Sequence, residues 1–91
     1  MERVKLNGLA AITAAAERGV PDALFELGLC YANGQGVPQD FVEAHKWFNI
    51  AAIRGSQPAR ERRAELALDM TPEQIAEAQR QAREWIARKT H

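Results

Sequence analysis

The sequence has little of several things that would decide its class by being present. It carries one cysteine, Cys30, in 91 residues. A lone thiol makes no internal disulfide, so nothing calls for an oxidising compartment. There is no surplus of either charge: 12 Lys+Arg stand against 12 Asp+Glu. Residues 1–55 hold five bases and six acids, and residues 56–91 hold seven and six. Nucleic-acid and anionic-membrane recognition rest on a basic surplus or stripe, and the balance here argues against both. No apolar run approaches the ~18 residues that a membrane-spanning helix needs. Met1–Lys5 is charged, and the mildly apolar Leu6–Ile12 is interrupted by Asn7 and Gly8. That opening reads as an amphipathic helix rather than an export signal. The expected location is cytoplasmic.

What is present describes a small globular chain. Hydrophobic residues make up 46% and charged ones 26%, above the range of disordered sequences. A chain of this length forms one domain with a thin core, burying roughly 60–65% of its unfolded surface.

The sequence also repeats. Ala15, Ala16, Arg18, Gly19 and Ala23 recur 36 positions later as Ala51, Ala52, Arg54, Gly55 and Ala59. A period of that size is typical of helix–turn–helix solenoid units, whose helices bury their apolar sides only against neighbours.

Apolar spacing predicts five helices and no strand. Leu6, Leu9, Ile12 and Ala16 stripe the first, which Gly19 ends. Ala23, Leu27 and Tyr31 stripe the second, where Gly28 implies a close helix crossing. Asn33-Gly34-Gln35-Gly36 stops it. Asp40 begins the third with Glu43 three residues on, a capping-box arrangement. Phe41, Ala44, Trp47, Phe48, Ala51 and Ala52 form its apolar side. The fourth begins near Pro58 and turns Ala59, Leu66 and Met70 inward. Thr71-Pro72-Glu73-Gln74 is a fresh helix start, followed by a stripe of Ile75, Ala78, Ala82, Trp85 and Ile86.

From Ala23 to Gly55 the pattern resembles one complete Sel1-like repeat. The residues that carry the resemblance are Leu27-Gly28, Tyr31, Gly34-Gln35-Gly36-Val37, Asp40, Ala44, Trp47 and Ala51-Ala52. The family is similar to tetratricopeptide repeats, and the resemblance implies an all-α fold, a short right-handed α-solenoid of about five antiparallel helices. The expected organisation is a lead-in helix in 1–19, one complete repeat in 20–55, and a degenerate half repeat with a capping helix in 56–91. Beyond Ala59 the chain departs from the pattern: Arg63 stands where the repeat wants Leu, Ala64 where it wants Gly, and Ala67 where it wants Tyr. The segment from Met70 to Trp85 resembles the closing helix of bacterial Sel1-like proteins.

Little in the chain suggests catalysis. No His, Cys, Asp or Glu cluster has the spacing of a closed metal site, and no cofactor motif occurs. Cys30 and His45 are the one possible Cys–His dyad, without the depressed pKa or third orienting group that a nucleophile needs. Glu–Arg alternation through Arg60–Glu65 and Glu73–Glu84 reads as a solvated surface laced with weak ion pairs. The resemblance points instead to a non-catalytic interaction module. The first helix of a repeat pair lines the concave surface, so Asp22, Phe25, Leu29 and Asn33 become the candidate partner-binding residues. The alternative placement packs Phe25 and Leu29 beneath the first helix. The expected partner is a protein or peptide, and the chain itself a monomer or weak homodimer. Two rivals remain: a structural subunit stacking on another repeat protein, and a cell-wall or β-lactam hydrolase, an activity that the resemblance attaches to some cysteine-rich relatives.

Overall fold

The computed structural model describes residues 2–89, with side chains from residue 8 onward. The side chain of Leu6 and the whole of His91 therefore lie outside the described residues. Among the described residues there are five helices and no strand. They are α1 (Glu2–Glu17), α2 (Pro21–Asn33), α3 (Phe41–Ile53), α4 (Gln57–Ala67) and α5 (Pro72–Lys89).

Four backbone hydrogen bonds of the first turn recur 36 positions later. The amides of Arg18, Gly19, Val20 and Leu24 donate to the carbonyls of Ala14, Ala16, Ala15 and Val20. Thirty-six positions later, Arg54, Gly55, Ser56 and Arg60 donate to Ile50, Ala52, Ala51 and Ser56. Both turns need a left-handed residue, and Gly19 and Gly55 supply it at φ 84° and 104°, where a side chain would be strained. The second turn adds a side-chain cap that the first lacks. Ser56 Oγ accepts from the Ala59 amide at 3.2 Å, whereas Val20 has no side-chain oxygen to offer.

The two expected capping boxes differ. At α5 the box is complete: Thr71 Oγ1 accepts from the Gln74 amide and Gln74 Oε1 accepts from the Thr71 amide. At α3 only half of it forms. Asp40 Oδ1 accepts from the Glu43 amide at 3.1 Å, but Glu43 does not complete the exchange. The Asp40 amide is already donated to the Tyr31 carbonyl at 2.9 Å. The Glu43 carboxylate instead accepts from Trp47 Nε1 at 3.0 Å and pairs with Lys46.

Helix α3 is the centre of the molecule. The sequence predicts one apolar side for it, yet Ala44, His45 and every residue from Trp47 to Ala52 are buried. The reason is that α2, α4 and α5 all pack on α3, while α1 packs on α2. Alanines at 44, 51, 59, 78 and 82 are almost fully buried and let the helices approach closely. Trp47 meets Trp85 of α5 edge to face at 5.9 Å, a favoured aromatic geometry. The Trp47 indole has its partner in Glu43, whereas Trp85 Nε1 is buried without one among the described residues.

The tightest junction joins α2 to α3. Phe48 is 1% exposed, and its ring lies where a side chain at position 28 would be. A Cβ on Gly28 would stand 2.5 Å from two Phe48 ring carbons. The glycine in mid-helix thus accommodates an aromatic ring rather than a neighbouring backbone. Burying a ring of this size stabilises by about 1.5–3 kcal/mol, which outweighs the helix-propensity cost of glycine, about 1 kcal/mol.

This contact sets opposite signs for two otherwise similar substitutions. Gly28→Ala should destabilise the fold by about 1–3 kcal/mol through overpacking. Gly8→Ala, with nothing within 4 Å of the added carbon, should be neutral or stabilising by up to about 1 kcal/mol through helix propensity. Urea unfolding of both variants checks the pair.

Candidate functional site

The residues that the sequence nominates share α2 but differ in environment. Asp22 and Asn33 are exposed near its two ends. Phe25 and Leu29, one turn apart, are half-buried and packed against the core. The Phe25 ring lies 5.9 Å from that of Phe48, tilted by 36°. Part of the apolar area offered by this pair is therefore committed to the α2–α3 junction. What α2 presents outward is a polar edge, Asp22, Glu26 and Asn33, beside two apolar side chains that are half covered.

Cys30 and His45, the two members of the Cys–His dyad, lie on separate helices, α2 and α3. Burial first, and then the Glu26 carboxylate, push the Cys30 thiol above its ordinary pKa, the opposite of what thiolate chemistry requires. The His45 ring is 3% exposed and its Nδ1 lies 3.1 Å from Asn49 Nδ2. Among the described residues no group of three or more His, Cys, Asp or Glu side chains could hold a metal ion.

His45 belongs to a polar chain that the sequence reading missed. Arg63 of α4 donates to Asn49 Oδ1 at 2.7 Å. That bond fixes the amide's orientation and turns Nδ2 toward His45. The His45 Nδ1 must then be an unprotonated acceptor, which puts the ring hydrogen on Nε2. Arg63, which occupies a position where the repeat pattern wants Leu, is thus half-buried and bonded rather than part of a solvated surface. The signal in the sequence was the i, i+4 pair His45 and Asn49 on an otherwise apolar helix. The other charges behave as expected. Arg80 pairs with both Glu77 and Glu84 on the outer side of α5, and its hydrogen bond holds the Glu77 carboxyl at about 2.

Beside this chain lies a shallow groove of about 180 Å³ between α3 and α5, lined by Asn49, Ile53, Gln79, Ala82, Arg83 and Ile86. Ile53 is 66% exposed, a large aliphatic side chain left in water. It occupies the position that Glu17 holds 36 residues earlier. That replacement of a charge by an isoleucine was the available signal.

The buried ring makes stability depend on pH with a definite sign. Burial, and then the Arg63 charge, lower the His45 pKa. In the unfolded chain His45 takes up a proton near pH 6.5, and in the folded chain only at lower pH. Below about pH 6.5 the unfolded state therefore binds more protons, and stability falls with pH until the folded ring also titrates. Thermal melts should show a drop in midpoint from pH 7.5 to 5.5, and His45→Gln should flatten it. An unchanged slope in the variant would assign the dependence elsewhere.

Comparison with known proteins places this geometry. Residues 21–56 match the Sel1 repeat family. Over 48 residues the chain is 44% identical to DAP3-binding cell death enhancer 1 of Mus musculus and 42% identical to its Rattus norvegicus counterpart. Each match covers 53% of this chain and 9% of the relative. Among solved structures, it superposes on a protective antigen of uropathogenic Escherichia coli strains that displays an SLR fold, with a TM-score of 0.85 and 27% identity. That match covers 91% of this chain and 18% of the antigen, so the chain spans only a small part of each protein it resembles. Residues 21–56 thus match a Sel1 repeat, and the five helices of the described chain share the SLR fold of that antigen.

Proposed function

We propose that the chain is a non-catalytic protein-interaction module that docks a peptide or protein segment, acting in the cytoplasm as a monomer or weak homodimer and without a cofactor. The observation that carries this reading is the surface of α2, the first helix of the repeat. There Asp22 and Asn33 stand exposed beside the half-buried Phe25 and Leu29. A polar edge next to apolar side chains suits a segment recognised by shape and local contacts. Sel1-like repeats serve in general as protein-interaction modules. The rodent relatives are named for binding another protein, DAP3, and a role of that kind is what we propose here.

The rival readings fit less well. Stacking on another repeat protein through α1 would be favoured by an open apolar stripe. Leu9 and Ile12, however, are half-buried and pack on the core. A hydrolase would need a nucleophile poised to ionise, and the raised Cys30 thiol is the reverse.

Selection of a phage-displayed peptide library against the immobilised chain tests the proposal. Enriched peptides should bind with sub-millimolar affinity and shift amide resonances around Asp22, Phe25, Leu29 and Asn33. Recovery of no sequence that binds the free chain would count against an interaction module of any kind.

A further inference from the structure

We propose that the groove between α3 and α5 is a second docking surface, one that takes an acidic segment carrying a bulky apolar side chain. This rests on the reading of the chain as an interaction module but uses a different side of it. The floor is apolar: Ile53 of α3 with Ala82 and Ile86 of α5. An aliphatic side chain as exposed as Ile53 gains by being covered.

Charge decides the kind of segment. Arg83 lines the groove and has no ion pair among the described residues. Arg63, bonded to the neutral amide of Asn49 at the groove wall, has no carboxylate partner either. The acids of α5 that could neutralise Arg83 are committed to Arg80 on the outer side of the helix, and Glu43 of α3 is held by Trp47 and Lys46. The groove is therefore locally basic in a chain of zero net charge. Gln79 and Asn49 add amide groups at its edge. A carboxylate one or two residues from a leucine or phenylalanine would meet Arg83 while the apolar side chain covers Ile53 and Ile86. A second copy meeting the groove through this same face would bring its own unpaired arginine, and so fits worse than an acidic partner.

The test uses the ¹⁵N-labelled full chain and three soluble synthetic nonapeptides. The first has one central leucine flanked by glutamates, the second replaces the glutamates with lysines, and the third replaces the leucine with serine. The first should bind with a sub-millimolar Kd and shift amides at Ile53, Gln79, Arg83 and Ile86. The other two should bind at least tenfold more weakly. Arg83→Glu should weaken the first peptide at least tenfold without moving the melting temperature, since Arg83 is exposed and makes no ion pair. Equal binding of the lysine peptide, shifts confined to α2, or an indifferent Arg83→Glu would each overturn the proposal. Failure here, with library-selected peptides still binding α2, removes the groove and leaves the interaction module standing. Failure of both removes the module.

Discussion

The ring of Phe48 seated over Gly28 is the contact on which the rest of the structure depends. It brings α3 close enough to α2 for both to share one core, and it fixes the depth at which α3 lies. Everything C-terminal then builds on α3: α4 and α5 both pack on it, and Trp85 meets Trp47 edge to face. A 91-residue chain has a thin core, so it concentrates burial in one helix. Eight of the thirteen residues of α3 are buried, and the other four helices are largely its coat.

Concentrating burial in this way creates a polar problem that the sequence solves locally. A helix packed on several sides has little outward edge on which to place polar side chains, and α3 carries His45 and Asn49 on its buried part. Unpaired, each would lose about 1–3 kcal/mol on burial. Arg63 reaches down from α4 to Asn49, and Asn49 in turn satisfies His45. The position where α4 departs from the repeat pattern thus supplies what this α3 requires. The same arrangement ties up His45 in a structural bond and leaves the Cys30 thiol on a separate helix with a raised pKa.

Local signals in the sequence were sufficient for the elements and their ends. Glycines at 19 and 34, the Asp and Thr caps at 40 and 71, and the apolar stripes act within a turn or two, so they can be read along the chain; the Ser56 cap went unread. The 36-residue identity located both turns, and the structure repeats their hydrogen bonds. Contacts between distant residues were not legible. Nothing near Glu43 reveals that Tyr31 takes the Asp40 amide and leaves the capping box half made. Nothing near Arg63 shows that Asn49 lies below it. The α3–α5 groove went unseen because it joins residues more than 25 positions apart, although Ile53 in the place of Glu17 marked one of its sides. The α2 surface rests on its place in the repeat, and much of its apolar area is packed against the core.

An order of local stability follows from this architecture, and native-state hydrogen exchange measures it directly. The amides of α3 should open last, with a free energy equal to that of global unfolding. Those of α4, which buries only Ala59 and Leu66, and of α1, which packs on α2 alone among its main neighbours, should open at lower free energy. Protection of α3 no greater than that of α1 or α4 would contradict a fold organised around the Phe48–Gly28 junction.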